Sequence, residues 1–226
     1  MSIAEKLLIF REDNYHEEMR KRNFQSAVIT SDKGLLKYDE GDISPSPLTY
    51  ADLLSNNTPL LKAFEALMNK RRFFIRNGNQ VDHIVTQSDL DKIPMRLALF
   101  GLISALETNL RQLVKEEVPD WQQYLSQERL TAAHKLLLLK TARNEEIDLL
   151  QCLQLADLGS IFSKKRRYKK FDPCLTRDRY NSCFGKIGKL RDAVAHSQQI
   201  LPFSWSEIHD LLVFIRKISE SKNQTH

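Results

Sequence analysis

The spacing of apolar positions changes at Pro94. Before it, short apolar runs alternate with turn-forming residues; after it, apolar residues recur three and four apart over long stretches. In the first part, Tyr15–Phe24 predicts a charged helix and Ser26–Thr30 a short strand. Ser31–Gly34 predicts a turn, and Leu35–Tyr38 a second strand. A Pro- and Ser-rich link, Ile43–Leu48, separates this group from a second one in the same order. Thr58 is placed to cap, and Pro59 to open, a helix running to Asn69. Arg72–Arg76 then reads as a strand, Asn77–Gln80 as a hairpin turn with an Asn-Gly pair, and Val81–Val85 as its return strand.

Beyond Pro94 there is no strand signal. Met95–Val118 carries Leu97, Leu99, Phe100, Leu102, Ile103, Leu106, Leu110, Leu113 and Val114 close to a helical period, a face broad enough to be deeply buried, and Pro119 ends it. Ser126–Thr141 and Glu145–Phe162 predict two further helices with Asn144 between them. A basic loop, Ser163–Pro173, leads to a helix over Arg177–Ala195. A last helix starts where Ser204 or Ser206 can cap and runs to about Ser219. The fold class expected is α+β: an α/β module over 1–92, as repeats of about 1–47 and 48–92, then an all-α bundle over 93–226.

Charge sharpens this division. Residues 1–93 carry 13 Lys/Arg against 14 Asp/Glu, whereas 94–226 carry 21 against 15. From Lys164 to Arg191 there are 11 basic residues and two acidic ones, Asp172 and Asp178, which suits a polyanionic partner such as RNA. No apolar run has the length of a membrane span. The opening residues lack a small-residue cleavage site, so no signal peptide is read. Cys152, Cys174 and Cys183 are odd in number and lie in no metal-ligand spacing, which predicts reduced thiols and a cytoplasmic location. No metal site is read.

The second helix–strand–turn–strand group closes with Val-Asp-His-Ile-Val-Thr-Gln-Ser-Asp-Leu, Val81–Leu90. This wording resembles a CBS motif, half of a Bateman nucleotide-sensing module. The first group resembles a degenerate partner, because its second strand lacks the closing signature. The resemblance implies that Thr86 and Asp89 contact the ribose of an adenine nucleotide (ATP, ADP or AMP) that acts as a regulator, with no cofactor required. His83 stands where a glycine is usual. The residues themselves also fit a plain capping box, with Thr86 capping the following turn and Asp89 reaching back.

Near the C-terminus, Lys-Ile-Gly-Lys-Leu-Arg-Asp-Ala-Val-Ala-His-Ser places Arg191 and His196 at the end of a helix with four residues between them. An arginine holds phosphate through charge-assisted hydrogen bonds and a histidine exchanges a proton near neutrality. The Arg-x4-His spacing in a helical, basic region resembles the HEPN superfamily. That resemblance implies a metal-independent endoribonuclease, with His196 as acid or base and Arg191 stabilising phosphate charge. It also implies a homodimer through this helix, with an acid such as Glu107 on the first long helix, and a role in stress or phage defence. Asp192 stands where the family commonly has asparagine. On a regular helix Arg191 and His196 point about 140° apart, so a single helix does not pair them. Gly185 and Gly188 leave room for another helix. Lys164, Lys165, Arg166, Arg167, Tyr168, Lys169 and Lys170 form a basic run with one aromatic, suited to RNA phosphates and one stacked base. The alternative is a catalytically silent RNA- or nucleotide-binding sensor or scaffold dimer.

Overall fold

The computed structural model describes residues 2–196, 198 and 200–220. The chain has mixed α and β content, and among the described residues the strands lie in the N-terminal part and the long helices in the C-terminal part. It divides into two compact units, Met1–Arg96 and Leu97–His226.

The first unit contains β1 (Glu5–Lys6), β2 (Ile9–Arg11), α1 (Tyr15–Arg22), β3 (Ser26–Ser31), β4 (Gly34–Asp39), β5 (Ser46–Pro47), β6 (Leu53–Ser55), α2 (Leu60–Leu67), β7 (Arg72–Asn77) and β8 (Gln80–Thr86). Two copies of one order are present: β2–α1–β3–β4 and β6–α2–β7–β8. In each, the first strand lies parallel to the second, and the second and third form a hairpin. The hairpin turns are set by Gly34 at φ 110° and Gly78 at φ 59°, values that glycine tolerates without a Cβ clash.

Each sheet takes its fourth strand from the other repeat. β5, which leads into the second repeat, pairs with β4 of the first; β1, which leads into the first, pairs with β8 of the second. Neither sheet is complete without a strand from the other repeat. A buried arginine reinforces the exchange. Arg72, at the start of β7, donates through Nε to Asp39 Oδ1 at 2.6 Å and through Nη2 to Asp39 Oδ2 at 2.5 Å, with Ser26 Oγ also accepting from Nε at 2.8 Å. Its guanidinium lies 4.2 Å from the centre of the Phe74 ring.

The second unit is helical: α3 (Ile93–Glu117, its first turn in the first unit), α4 (Gln127–Thr141), α5 (Leu155–Lys164), α6 (Arg177–Ala195) and α7 (Trp205–Glu220). Its core is built from Leu106 and Leu110 of α3, Leu158 and Ile161 of α5, Ile187 and Leu190 of α6, and Ile208 and Ile218 of α7. α5 and α6 pack closely at Gly159, where an added Cβ would fall 2.5 Å from the Phe184 ring. α4 is tied to α5 by Arg129, whose Nε and Nη2 reach the two oxygens of buried Asp157 at 2.8 and 2.7 Å. No described helix is long and apolar enough to cross a membrane.

Several sequence expectations shift. Thr58 does not cap α2; Pro59 holds the N-cap position with no side-chain bond, and Thr58 N–H closes a turn on Ser55 O. The expected helix over Glu145–Phe162 is two pieces, a 3₁₀ turn over Leu149–Cys152 and then α5. The break follows from two successive capping boxes, Asp148 with Gln151 and Gln154 with Asp157, which restart the backbone at each box. Ser163–Pro173 is not an open loop: α5 continues to Lys164 and a 3₁₀ turn covers Arg167–Lys170. The Pro- and Ser-rich link contains β5, with Pro47 in an edge strand where its missing N–H is tolerated.

Candidate functional site

In the first unit, Thr86 and Asp89 form the capping box over the turn that follows β8. Asp89 Oδ2 accepts from Thr86 N–H at 2.7 Å and from Thr86 Oγ1 at 2.8 Å. Its other oxygen, Oδ1, is 2.5 Å from Lys92 Nζ, which also donates to Ile3 O and Glu5 Oε1. Burial opposes the charge on Lys92, but the hydrogen bonds to Asp89 and Glu5 outweigh it and raise its pKa. Asp89 is 5% exposed, so both carboxylate oxygens are satisfied within the unit. His83 lies on β8 with Nδ1 2.8 Å from Asp82 Oδ1.

The same arrangement occurs a second time, at residues the sequence reading passed over. Asp52 Oδ2 accepts from Thr49 N–H at 3.1 Å and Thr49 Oγ1 at 2.7 Å, while Lys37 Nζ donates to Oδ1 at 2.6 Å. Burial raises the Asp52 pKa, but the hydrogen bonds from Lys37 and Thr49 outweigh it and hold the carboxyl well below the usual carboxylate range. The signal was the wording Leu-Thr-x-x-Asp-Leu at Leu48–Leu53, set beside Val-Thr-x-x-Asp-Leu at Val85–Leu90. The two boxes share their geometry, each with a lysine on the second carboxylate oxygen.

In the second unit, α6 begins at Thr176, whose Oγ1 accepts from Arg179 N–H, and runs without a break to Ala195. His196 N–H still donates to Asp192 O at 3.0 Å, so the helical register extends through His196. Arg191 and His196 therefore keep their angular separation of about 140° within one chain. His196 is exposed and Arg191 half-buried, with Arg191 Nη1 donating to Asp192 Oδ1 at 3.2 Å. Asp192 is four residues before His196, so the two side chains are neighbours on the helix surface.

Glu107 is engaged elsewhere. Arg111 Nη2 donates to its Oε1 at 2.5 Å and to Leu153 O at 3.1 Å, which makes the acid half of an internal ion pair. The basic run is divided by its own packing. Tyr168 is 5% exposed and stacks on Tyr180 at 5.4 Å between ring centres, so its faces are not open to a base. Its place in the aromatic core follows from the 3₁₀ turn, which directs one side chain of the run inward. Lys164 donates to Tyr124 O at 2.9 Å, Lys165 to Tyr124 Oη at 3.0 Å, and Lys170 to Glu117 Oε1 at 2.5 Å. Arg166, Arg167 and Lys169 are exposed.

A cleft of about 560 Å³ runs between α5 and α6. Ser160, Ser163 and Lys164 line it from α5, and Arg177, Asn181, Lys189 and Asp192 from α6, with Gly159, Gly185 and Gly188 among its backbone. Of these, only Lys164, Gly185, Gly188 and Asp192 were singled out from the sequence. Arg177 and Lys189 belong to the general basic excess, and nothing in their spacing marks them apart. The three cysteines are free, and no cluster of three potential metal ligands occurs among the described residues.

No protein-family model matches the chain, and no curated protein or solved structure matches it either.

Proposed function

We propose that the chain is a metal-independent endoribonuclease of the cytoplasm, in which His196 moves a proton at the RNA 2′-hydroxyl and Arg191 neutralises the phosphate. The observation that carries this reading is the end of α6. Two side chains of the required chemistry stand there on one helix, Arg191 half-buried and His196 exposed, next to Asp192 of a cleft that Lys164, Arg177 and Lys189 also line. His196 takes the 2′-hydroxyl proton as the oxygen attacks phosphorus, and the bond to the 5′-oxygen breaks. The leaving oxygen takes a proton from water or from His196 of a second copy. The products are a 2′,3′-cyclic phosphate and a 5′-hydroxyl. Arg191 stabilises charge that builds on the non-bridging oxygens. The 140° divergence within one helix favours a homodimer, in which the Arg191 of one copy serves the His196 of the other. The resemblances to a CBS pair and to a HEPN bundle agree with this division of labour between a repeat unit and a helical unit.

A regulatory adenine nucleotide in this reading meets Asp89 at Oδ1, where its ribose diol shares the oxygen with Lys92 or displaces it. A second reading, a silent RNA-binding scaffold, is favoured by the carboxylate of Asp192 beside Arg191 and by the commitment of Glu107 to Arg111. Product analysis separates the two. The nuclease leaves 2′,3′-cyclic phosphate ends and fails on RNA with a single 2′-deoxy nucleotide at its cleavage position. Undegraded RNA throughout would establish the scaffold instead.

A further inference from the structure

We propose that the cleft between α5 and α6 is a track for the phosphodiester backbone of single-stranded RNA, leading along α6 to His196. The inference rests on the ribonuclease reading only for what happens at the end of the track; the binding itself stands on the cleft.

The register of α6 points the row of cleft residues toward the histidine. Gly185, Lys189, Asp192 and His196 follow one another at four, three and four residues, the spacing of one helix face. The first three line the cleft. The backbone bond from His196 N–H to Asp192 O carries the same register to the histidine. A strand lying in the cleft along this row reaches His196 one turn beyond its last lining residue.

Charge favours a polyanion in the same place. Lys164, Arg177 and Lys189 face the cleft against one acid, Asp192. Two of these cations are held in place before any ligand arrives: Lys164 Nζ on Tyr124 O, and Arg177 Nε on Ser163 Oγ at 3.1 Å. Fixed cations on two helices suit a chain of phosphates better than a single anion, and Asn181 adds neutral donors between them.

The glycines keep the cleft open. Glycine is a poor residue for a helix interior, and Gly185 and Gly188 lie well inside α6. An added Cβ at either would meet nothing within 4 Å. Packing among the described residues therefore does not require them, in contrast to Gly159, where the Phe184 ring leaves no space. Their effect is to leave the cleft open at these two positions of α6, between the side chains of Asn181 and Lys189, so that a ligand approaches the helix backbone there. A second copy of α6 seated there would bring its own Arg177 and Lys189 toward Lys164, Arg177 and Lys189 of the cleft. A polyanion meets no such repulsion.

The test is fluorescence anisotropy of a labelled single-stranded RNA on the full chain carrying His196→Ala, which removes cleavage from the measurement. Lys164→Glu with Lys189→Glu is expected to weaken binding at least tenfold, and to lower the slope of log affinity against log salt by about 0.7 for each phosphate that is no longer neutralised. Gly185→Leu, which fills the cleft without changing charge, is expected to weaken binding as well. Lys33→Glu, in the first unit's hairpin turn, is expected to leave it unchanged. Circular dichroism confirms that each variant folds. Equal affinity in the cleft variants and the parent overturns the track, and so does an absence of RNA binding in the parent. Loss of self-association in Gly185→Leu with RNA affinity retained overturns it in favour of a helix of a second copy. If wild type fails to cleave but the cleft variants lose binding, the track stands and the nuclease reading falls. If wild type cleaves and the cleft variants cleave equally well, the reverse holds.

Discussion

Asp52 and Asp89 of the first unit and Asp192 at the end of α6 all stand beside cations, but in opposite settings, and the second unit also holds one of the sealed kind, Asp157 on Arg129. Asp52 and Asp89 in the first unit are each 5% exposed, with one oxygen on a threonine and the other on a lysine. Asp192 in the second is exposed, touches Arg191 at 3.2 Å, and sits one helical turn before an exposed histidine. A buried carboxylate with both oxygens bonded holds a turn and an ammonium group in place, and is poorly placed to meet a ligand. An exposed one beside an arginine and a histidine is available to a ligand at once. In the proposed reading the first unit is a scaffold held by its two boxes, and the end of α6 is the reactive part.

The largest expected effect comes from breaking the lock between the repeats. Asp39→Ala leaves the buried Arg72 guanidinium with the Ser26 hydroxyl and the Phe74 ring but no counter-charge, and is expected to destabilise the first unit by about 3 kcal/mol, read by denaturant unfolding. Asp52→Asn follows. Because the Asp52 pKa is lowered on folding, its contribution is complete above the unfolded value of about 3.9 and is lost as pH falls toward the folded value. The stability gap between wild type and Asp52→Asn should therefore be constant from neutral pH down to about pH 5 and shrink below about pH 4. A gap that widens on acidification would contradict the box.

How much of this was legible in the sequence depends on length of signal. The two hairpins were readable because Ser31–Gly34 and Asn77–Gln80 carry turn chemistry between β-branched or aromatic runs. β1, β2, β5 and β6 have two or three residues each, too few to show alternation, and they form because a neighbouring strand offers pairing groups. Thr49 and Asp52 were hidden by the prolines just before them, which made the segment look like a linker. In the helical unit, the apolar spacing of Leu149, Leu150 and Leu153 continues into α5, so the two capping boxes that break the backbone left no mark on the pattern. α6 has the bounds expected for it, Arg177–Ala195, with Thr176 as its cap. The inward turn of Tyr168 was not legible, since a tyrosine among cations fits stacking on RNA and burial in an aromatic core equally well.

Smaller effects distinguish packed glycines from open ones. Gly159→Ala forces a Cβ into the Phe184 ring and is expected to lose about 1–3 kcal/mol. Gly188→Ala meets nothing and should gain up to about 1 kcal/mol from helix propensity. A loss at Gly188 in thermal unfolding would mean that the helix is packed there after all. The smallest change expected is at Tyr180, which is fully buried and whose hydroxyl has no hydrogen-bond partner among the described residues. Burial drives its pKa well above the ordinary value. Tyr180→Phe removes an unsatisfied polar group and should hold or raise the melting temperature.

Chemistry at the exposed end of α6, and none at the sealed boxes, is tested most directly by cleavage of labelled single-stranded RNA in excess EDTA. Wild type, His196→Ala, Arg191→Ala and Thr86→Ala are compared at equal folded concentration. Cleavage is expected from wild type and from Thr86→Ala, with a loss of at least about a hundredfold in His196→Ala and Arg191→Ala. Cleavage that survives both α6 substitutions, or none by wild type, would contradict the assignment.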